Sequence, residues 1–94
     1  MSLDQLRYFV AVAEEENVGR AALRLHISQP PLTRQIRSLE AELGAPLFER
    51  VPRGMRLLPR GQVLLRHARS ILAAVDDAAA QVRGQPPDDS GGGG

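Results

Sequence analysis

The sequence predicts a mainly α-helical domain with one small β-hairpin, and three observations support this fold class. The chain has 94 residues, the length of one small domain. Leu and Ala supply 25 of its 40 apolar residues, a composition that favours packed helices over a large sheet. Apolar residues recur every three or four positions in four segments, and a short stretch before the last segment lacks this spacing. We therefore predict four helices and a two-stranded hairpin.

The first two predicted helices are separated by Asn17. The first runs from about Leu3 to Glu15, and its apolar positions are Leu3, Leu6, Phe9, Val10 and Ala13. Asn17 is a suitable N-cap for the second, which runs from Val18 to His26. The inner face of this short helix is predicted to consist of Val18, Ala21, Ala22 and Leu25.

A third helix is predicted to begin after Ser28, because Pro30 and Pro31 are tolerated only in the first turn of a helix. Gly44 is placed to end it. Its inner face is predicted to contain Leu32, Ile36, Leu39 and Leu43. An N-cap side chain normally accepts from the second and third N–H groups of its helix, and both prolines lack that group. The Ser28 hydroxyl is therefore expected to be free for another partner, such as a phosphate.

Residues 47–58 are predicted to form the hairpin, with strands Phe48 to Val51 and Met55 to Leu58 around the turn Pro52-Arg53-Gly54. Pro59 then begins a fourth helix that lasts to about Arg83. Its apolar residues follow a heptad pattern, which is typical of a helix that pairs with a second copy of itself. The predicted dimer contacts are Leu64, Ala68, Ile71, Leu72, Val75, Ala78 and Val82. Residues 84–94 are predicted to be a disordered linker.

Charge is distributed unevenly along the chain. Residues 17–69 hold ten arginines and three glutamates, whereas residues 1–16 and 70–94 each carry a net charge of −3. A concentrated basic segment with acidic flanks indicates an anionic polymer as the partner. Charged runs also commonly do no more than solvate a surface, so the charge pattern alone leaves both interpretations open.

Several function classes are disfavoured by composition and spacing. The chain has no cysteine, which excludes disulfides and thiolate metal sites. The longest apolar run has six residues, too few to span a bilayer, and we expect a cytoplasmic chain. His26 and His67 lack an obvious third metal ligand. Glu14, Glu15 and Glu16 are consecutive on a helix, so their side chains diverge by about 100° and cannot converge on one substrate. We predict no catalytic, cofactor or metal site.

The second and third helices, joined by a tight break inside the basic segment, have the layout of a helix-turn-helix. An α-helix fits the major groove, where Gln and Arg side chains can donate in pairs to adenine or guanine edges. The two proline rings could contact thymine methyl groups. The outward face of the third helix is predicted to present Gln29, Pro30, Thr33, Arg34 and Arg37.

Several short motifs, in order and at the right spacing, resemble the N-terminal DNA-binding domain of LysR-type transcriptional regulators. They are Leu6-Arg7-Tyr8-Phe9, the stretch from Arg20-Ala21-Ala22 to Ser28-Gln29-Pro30, Thr33-Arg34-Gln35-Ile36, Leu39-Glu40, Leu43-Gly44, and Leu47-Phe48, Arg50 and Arg53-Gly54. The resemblance implies a winged helix-turn-helix over residues 1–58, with the helix-turn-helix at about 18–37 and the wing at about 47–58. It also implies that residues 59–83 form a linker helix that dimerises antiparallel with its partner.

The resemblance also implies roles for particular residues. Gln29, Pro30, Pro31, Thr33 and Arg34 match positions that contact the groove or phosphates, and Arg53 matches the wing tip that reaches toward the minor groove. The complete set of candidate DNA contacts is Arg20, Ser28, Gln29, Pro30, Pro31, Thr33, Arg34, Arg37, Arg53 and Gly54. The sequence departs from the family where Gly19 and Leu58 stand in place of a usual Thr, and the first change removes an expected phosphate contact.

We therefore predict a sequence-specific, dimeric DNA-binding domain of a bacterial transcriptional regulator that binds a dyad-symmetric operator without a cofactor. Full-length family members are expected to form tetramers in some cases and to bind a small-molecule inducer through an effector domain that this sequence lacks. The alternative is a helical dimerisation or protein-interaction module with a merely solvated basic surface. Steeply salt-dependent binding to duplex DNA is expected only of the first.

Overall fold

The structure is a computed structural model that describes residues 1–84. In chain order the elements are α1 Leu3–Glu15, α2 Val18–Leu25, α3 Gln29–Leu43, β1 Phe48–Val51, β2 Gly54–Leu57 and α4 Pro59–Val82. This confirms the predicted fold class, four helices with one antiparallel hairpin inserted before the last helix. The predicted disordered linker, apart from Gly84, lies outside the described residues.

Side-chain caps mark the start of α1 and α2, and two prolines in the first turn mark the start of α3. Ser2 and Gln5 form a reciprocal capping box at α1. Asn17 caps α2 as predicted, since its Oδ1 accepts from the Arg20 backbone N–H at 2.8 Å. Ser28 precedes α3 without making a side-chain capping bond, which confirms that its hydroxyl is left free by the two prolines. These caps fix the tight breaks that place α1, α2 and α3 against one another.

The hydrophobic core is built around α1, which packs against α2, α3 and α4. The Phe9 ring meets that of Phe48 from the hairpin at a centroid distance of 5.4 Å. The buried side chains from the other elements include Ala21, Ala22, Leu32, Ile36, Leu39, Leu47 and Leu65. The predicted inner faces are therefore confirmed in their central positions.

Two predicted inner positions are wrong. Leu3 and Leu43 are 40% and 41% exposed. They lie at the same end of the α1–α3 pair, where the Met1 ammonium is 2.7 Å from the Glu42 carboxylate. Both leucines are terminal residues of their helices, so they sit at the edge of the core and remain accessible to solvent.

The hairpin, called the wing below, joins β1 and β2 through a two-residue turn formed by Pro52 and Arg53. Gly54 pairs with Val51, so β2 begins and ends one residue earlier than predicted. The base of the wing is attached to α3, because Glu40 Oε2 accepts from the Leu47 N–H at 2.7 Å.

The fourth helix begins at Pro59, as predicted, and has no side-chain cap because the preceding residue is Leu58. Near this end Gly61 is buried so closely that a Cβ would lie 2.5 Å from the Leu47 carbonyl oxygen. Within residues 1–84, no helix combines the length and apolar character that crossing a membrane requires.

One predicted dimer contact is wrong. Ala68 has no exposed surface, because it packs into the core of its own chain. Leu64 and Leu72 also pack against this core and are only half-buried. Further along α4, Ile71 is 42% exposed and Val82 is 88% exposed. The apolar residues in the first half of α4 therefore pack largely against the core of their own chain. Those in the second half are largely exposed to solvent.

Candidate nucleic-acid interface

The outward face of α3 carries most of the predicted contacts. Gln29, Pro30, Arg34 and Arg37 are exposed, and Pro31 and Thr33 are half-buried. These residues are turned outward because Leu32, Ile36 and Leu39 hold the opposite face in the core. Ser28, just before the helix, is also exposed. The free Ser28 hydroxyl and the exposed side chains of the first two turns thus lie together at the N-terminal end of α3.

The wing is held in place by backbone contacts with the α1–α2 connection. The Met55 N–H donates to the Glu16 carbonyl oxygen at 3.0 Å. At Gly54, whose φ is +148°, a Cβ would lie only 2.2 Å from the same oxygen. Any other residue would collide there, so glycine is required for this close approach. The predicted DNA contact Gly54 therefore has a clear structural role, which is to fix the position of the turn that carries Arg53.

Two surface hollows lie between α3 and the wing. Thr33, Arg37 and Arg50 line the first. Gln29, Arg50 and Gly54 line the second. Arg50 was not among the predicted site residues, although it belongs to a matching motif, and it is exposed in the structure. It is the only arginine that lines both hollows, so it connects the two parts of the candidate interface.

The twelve arginines differ in their partners, and seven have no carboxylate within ion-pair distance among residues 1–84, including Arg60, Arg66 and Arg83 in or at the end of α4. Those that form ion pairs with carboxylates are Arg7, Arg20, Arg24, Arg56 and Arg69. Among residues 1–84, no carboxylate lies within ion-pair distance of Arg34, Arg37, Arg50 or Arg53. We call the area defined by Gln29, Thr33 and these four arginines the α3–wing surface. Its positive charge is not neutralised within the described part of the chain, which favours an anionic partner.

Arg20 is placed differently from the other candidate contacts. Its Nη2 donates to the Glu15 carbonyl oxygen at 2.7 Å, and its Nε lies 3.8 Å from the Glu15 carboxylate. The side chain thus binds the C-terminal end of α1, and it is still 60% exposed.

Glu14 of α1 joins this helix to α2 and α4. Its carboxylate accepts from Arg69 Nη2 of α4 at 2.7 Å and lies 2.8 Å from Arg24 Nη2 of α2. The hydrogen bond from Arg69, followed by that from Arg24, lowers the pKa of Glu14 from its usual value near 4.5. The spacing of Glu14, Glu15 and Glu16 argued against a catalytic role. It could not reveal the structural role of Glu14, because Arg69 is 55 residues away in the chain.

The comparisons with known proteins agree with this geometry. The family of bacterial regulatory helix-turn-helix proteins called the lysR family matches residues 3–62. The chain belongs to the LysR family. Its helix-turn-helix and wing lie within the matched region. The named relatives are transcriptional regulators, in agreement with the expectation that the chain is not an enzyme.

Among the relatives of this LysR-family domain is the HTH-type transcriptional regulator TfdS of Cupriavidus pinatubonensis (strain JMP 134 / LMG 1197), which is 56% identical over 89 residues. The match covers 90% of this chain but 30% of the relative, so the chain spans about a third of that protein's length.

Solved structures of LysR-family proteins also resemble the domain. A crystal structure of a CbnR DBD–DNA complex has a TM-score of 0.85 and 48% identity, and the match covers 89% of this chain and 97% of that one. A BenM DBD in complex with catB site 1 DNA has a TM-score of 0.85 and 44% identity, and the match covers 88% and 93% of the two chains.

Proposed function

We propose that this LysR-family domain binds double-stranded DNA sequence-specifically, as the DNA-binding part of a cytoplasmic bacterial transcriptional regulator. The observation that carries the proposal is the α3–wing surface, on which four arginines without carboxylate partners among residues 1–84 flank Gln29 and Thr33. The structural likeness to DNA-bound CbnR and BenM domains supports it. The chain matches about 30% of the relative TfdS, and the inducer-binding domain of such a regulator would lie in the remaining part of the relative.

The two parts of the surface are suited to different grooves. The exposed face of α3 has the size and the side chains for the major groove, where Arg34 can donate two of its guanidinium N–H groups to guanine O6 and N7. Arg53 lies in the exposed two-residue turn of the wing. A guanidinium at such a tip suits the narrow, electronegative minor groove of an A·T-rich segment, which is recognised by its shape.

We also propose that the domain dimerises through α4. Its second half leaves Ile71, Ala78 and Val82 exposed, and an apolar stripe of this kind is stabilised by burial against a partner. The charges of α4 support an antiparallel arrangement. Arg60, Arg66 and Arg69 lie in its first half, and Asp76 and Asp77 lie in its second half. Antiparallel pairing brings the basic half of each helix toward the acidic half of the other.

The proposal can be tested by selecting duplexes from a randomised pool with the wild-type chain. Affinities for a selected duplex and a scrambled duplex of equal composition are then measured at several salt concentrations. We expect Arg34→Ala to lose about 1–3 kcal/mol on the selected duplex and to relax selectivity at one base pair. Arg53→Ala should mainly weaken binding to A·T-rich flanks.

Arg66→Ala is the matched control, because it also removes an exposed charge, but on α4 and outside the α3–wing surface. It should change neither selectivity nor groove preference. If Arg34→Ala and Arg53→Ala weaken binding to every duplex equally and flatten the salt dependence by about one unit each, both side chains neutralise phosphates only. A wild-type chain that dimerises but binds DNA without steep salt dependence would instead support the alternative, a protein-interaction module.

A further inference from the structure

Gly19 lies in the first turn of α2, directly beneath the side chain of Gln29. A Cβ at Gly19 would be 3.3 Å from Gln29 Nε2 and 3.1 Å from Asn17 Oδ1. The Gln29 carboxamide therefore lies next to the space that a side chain at position 19 would occupy. It can take this place without displacement because residue 19 has no side chain.

We propose that Gly19 is a positioning residue for Gln29, holding its carboxamide in the orientation in which it recognises a base. The proposal rests on the proposed DNA-binding function. Gly19 itself need not touch DNA. It leaves open the space beside the Gln29 carboxamide, and a side chain that already has its binding orientation loses less entropy when it forms its hydrogen bonds.

The first turn of α3 explains why the orientation of this one carboxamide matters. Pro30 and Pro31 have no N–H group, so the backbone there offers fewer donors than an ordinary helix N-terminus. The side-chain amide of Gln29 is a donor and an acceptor at the same place. Both functions are needed for the paired hydrogen bonds that glutamine makes with adenine N6 and N7.

Adding one methyl group at position 19 should move Gln29 and leave the fold intact. Asn17 cannot easily yield, because its Oδ1 is held at 2.8 Å by the Arg20 N–H. The exposed Gln29 side chain can rotate away at little cost. Alanine is also a better helix former than glycine, so the substitution should not destabilise α2. Base discrimination is then expected to change while the stability of the domain does not fall.

The experiment compares the wild-type chain, Gly19→Ala, Gln29→Ala and the double variant. Each is titrated with the selected duplex and with duplexes altered at the base pair for which Gln29→Ala loses preference. We expect Gln29→Ala and Gly19→Ala each to lose about fivefold or more in discrimination at that base pair. Adding Gly19→Ala to Gln29→Ala should change discrimination by less than about twofold, because the side chain that Gly19 positions is already gone.

A second readout needs no DNA. In the free wild-type chain we expect a nuclear Overhauser effect between the Gln29 side-chain amide protons and the Gly19 Hα protons, and Gly19→Ala should abolish the corresponding contact. Thermal unfolding checks that the variant is folded.

The outcomes separate the two proposals. The role of Gly19 is overturned if the Overhauser contact is missing, if Gly19→Ala weakens all duplexes equally, or if it acts as strongly without Gln29. A wild-type chain that shows the contact but prefers no duplex overturns the proposed function, and the recognition role of Gly19 falls with it. A wild-type chain that discriminates normally and is unaffected by Gly19→Ala overturns only the present inference.

Discussion

Replacing Gly54 with alanine tests how the wing is fixed. The added Cβ would lie 2.2 Å from the Glu16 carbonyl oxygen, far inside van der Waals contact, and the backbone φ of +148° is unfavourable for any side chain. Holding a non-glycine residue in such a conformation costs about 1–3 kcal/mol. Relieving the collision requires the wing to move away and to give up the Met55–Glu16 hydrogen bond, which contributes about 1 kcal/mol. The expected loss of unfolding free energy is about 2–4 kcal/mol in total.

Gly44→Ala is the matched control. Gly44 also has a positive φ, +75°, but a Cβ there meets nothing within 4 Å. Gly44→Ala should lower the free energy of unfolding by about 1–2 kcal/mol, because alanine is less stable than glycine in the left-handed conformation. The extra loss of unfolding free energy in Gly54→Ala therefore measures the effect of the close contact between the wing and the α1–α2 connection.

The measurement is urea unfolding followed by circular dichroism at 222 nm. All chains are compared at one protomer concentration, because dimerisation contributes to apparent stability. If Gly54→Ala loses no more free energy than Gly44→Ala, the contact with Glu16 does not hold the wing, and the reasoning is refuted. If it loses more, Gly54→Ala should also weaken binding to A·T-rich flanks, since the turn that carries Arg53 has moved.

Three further predictions concern the helices. Glu14→Gln should lower stability by about 0.5–1 kcal/mol near pH 7. Because the pKa of Glu14 is lowered in the folded chain, this difference should be full above about pH 5 and disappear as the pH falls through the folded-state pKa, which pH-dependent urea unfolding can check. Ile71→Asp should weaken the dimer in sedimentation experiments, whereas Ala73→Asp, on the opposite face of α4, should leave the dimer intact. Equal effects of the two substitutions would contradict the proposed interface. Leu32→Ala, at a wholly buried position, should cost about 2–5 kcal/mol in thermal or urea unfolding, and a loss below 1 kcal/mol would be inconsistent with the core described above.

The order and type of the elements could be predicted from the sequence because each depends on local signals. Asn17 caps α2 through its own neighbours, the paired prolines can occupy only the first turn of α3, and Gly44 ends that helix in a left-handed conformation. The motifs of residues 6–54 indicated the family and the outward face of α3. Even the free hydroxyl of Ser28 followed from the absence of two nearby N–H groups.

Tertiary structure decided the features that depend on residues far apart in the chain. Periodicity placed Ala68 on the apolar stripe of α4 but could not tell whether α1 or a partner covers it. Composition gives the number of arginines but could not show that Arg69 pairs with Glu14, 55 residues away. Nor could it show that Arg50 and Arg53 have no such partner within the described part of the chain. The contacts of Gly54 with Glu16 and of Gly19 with Gln29 likewise arise only when separate elements pack together. Local sequence determined the elements of this protein because backbone preferences act over a few residues, whereas the packing of those elements decided which charges and glycines form its recognition surface.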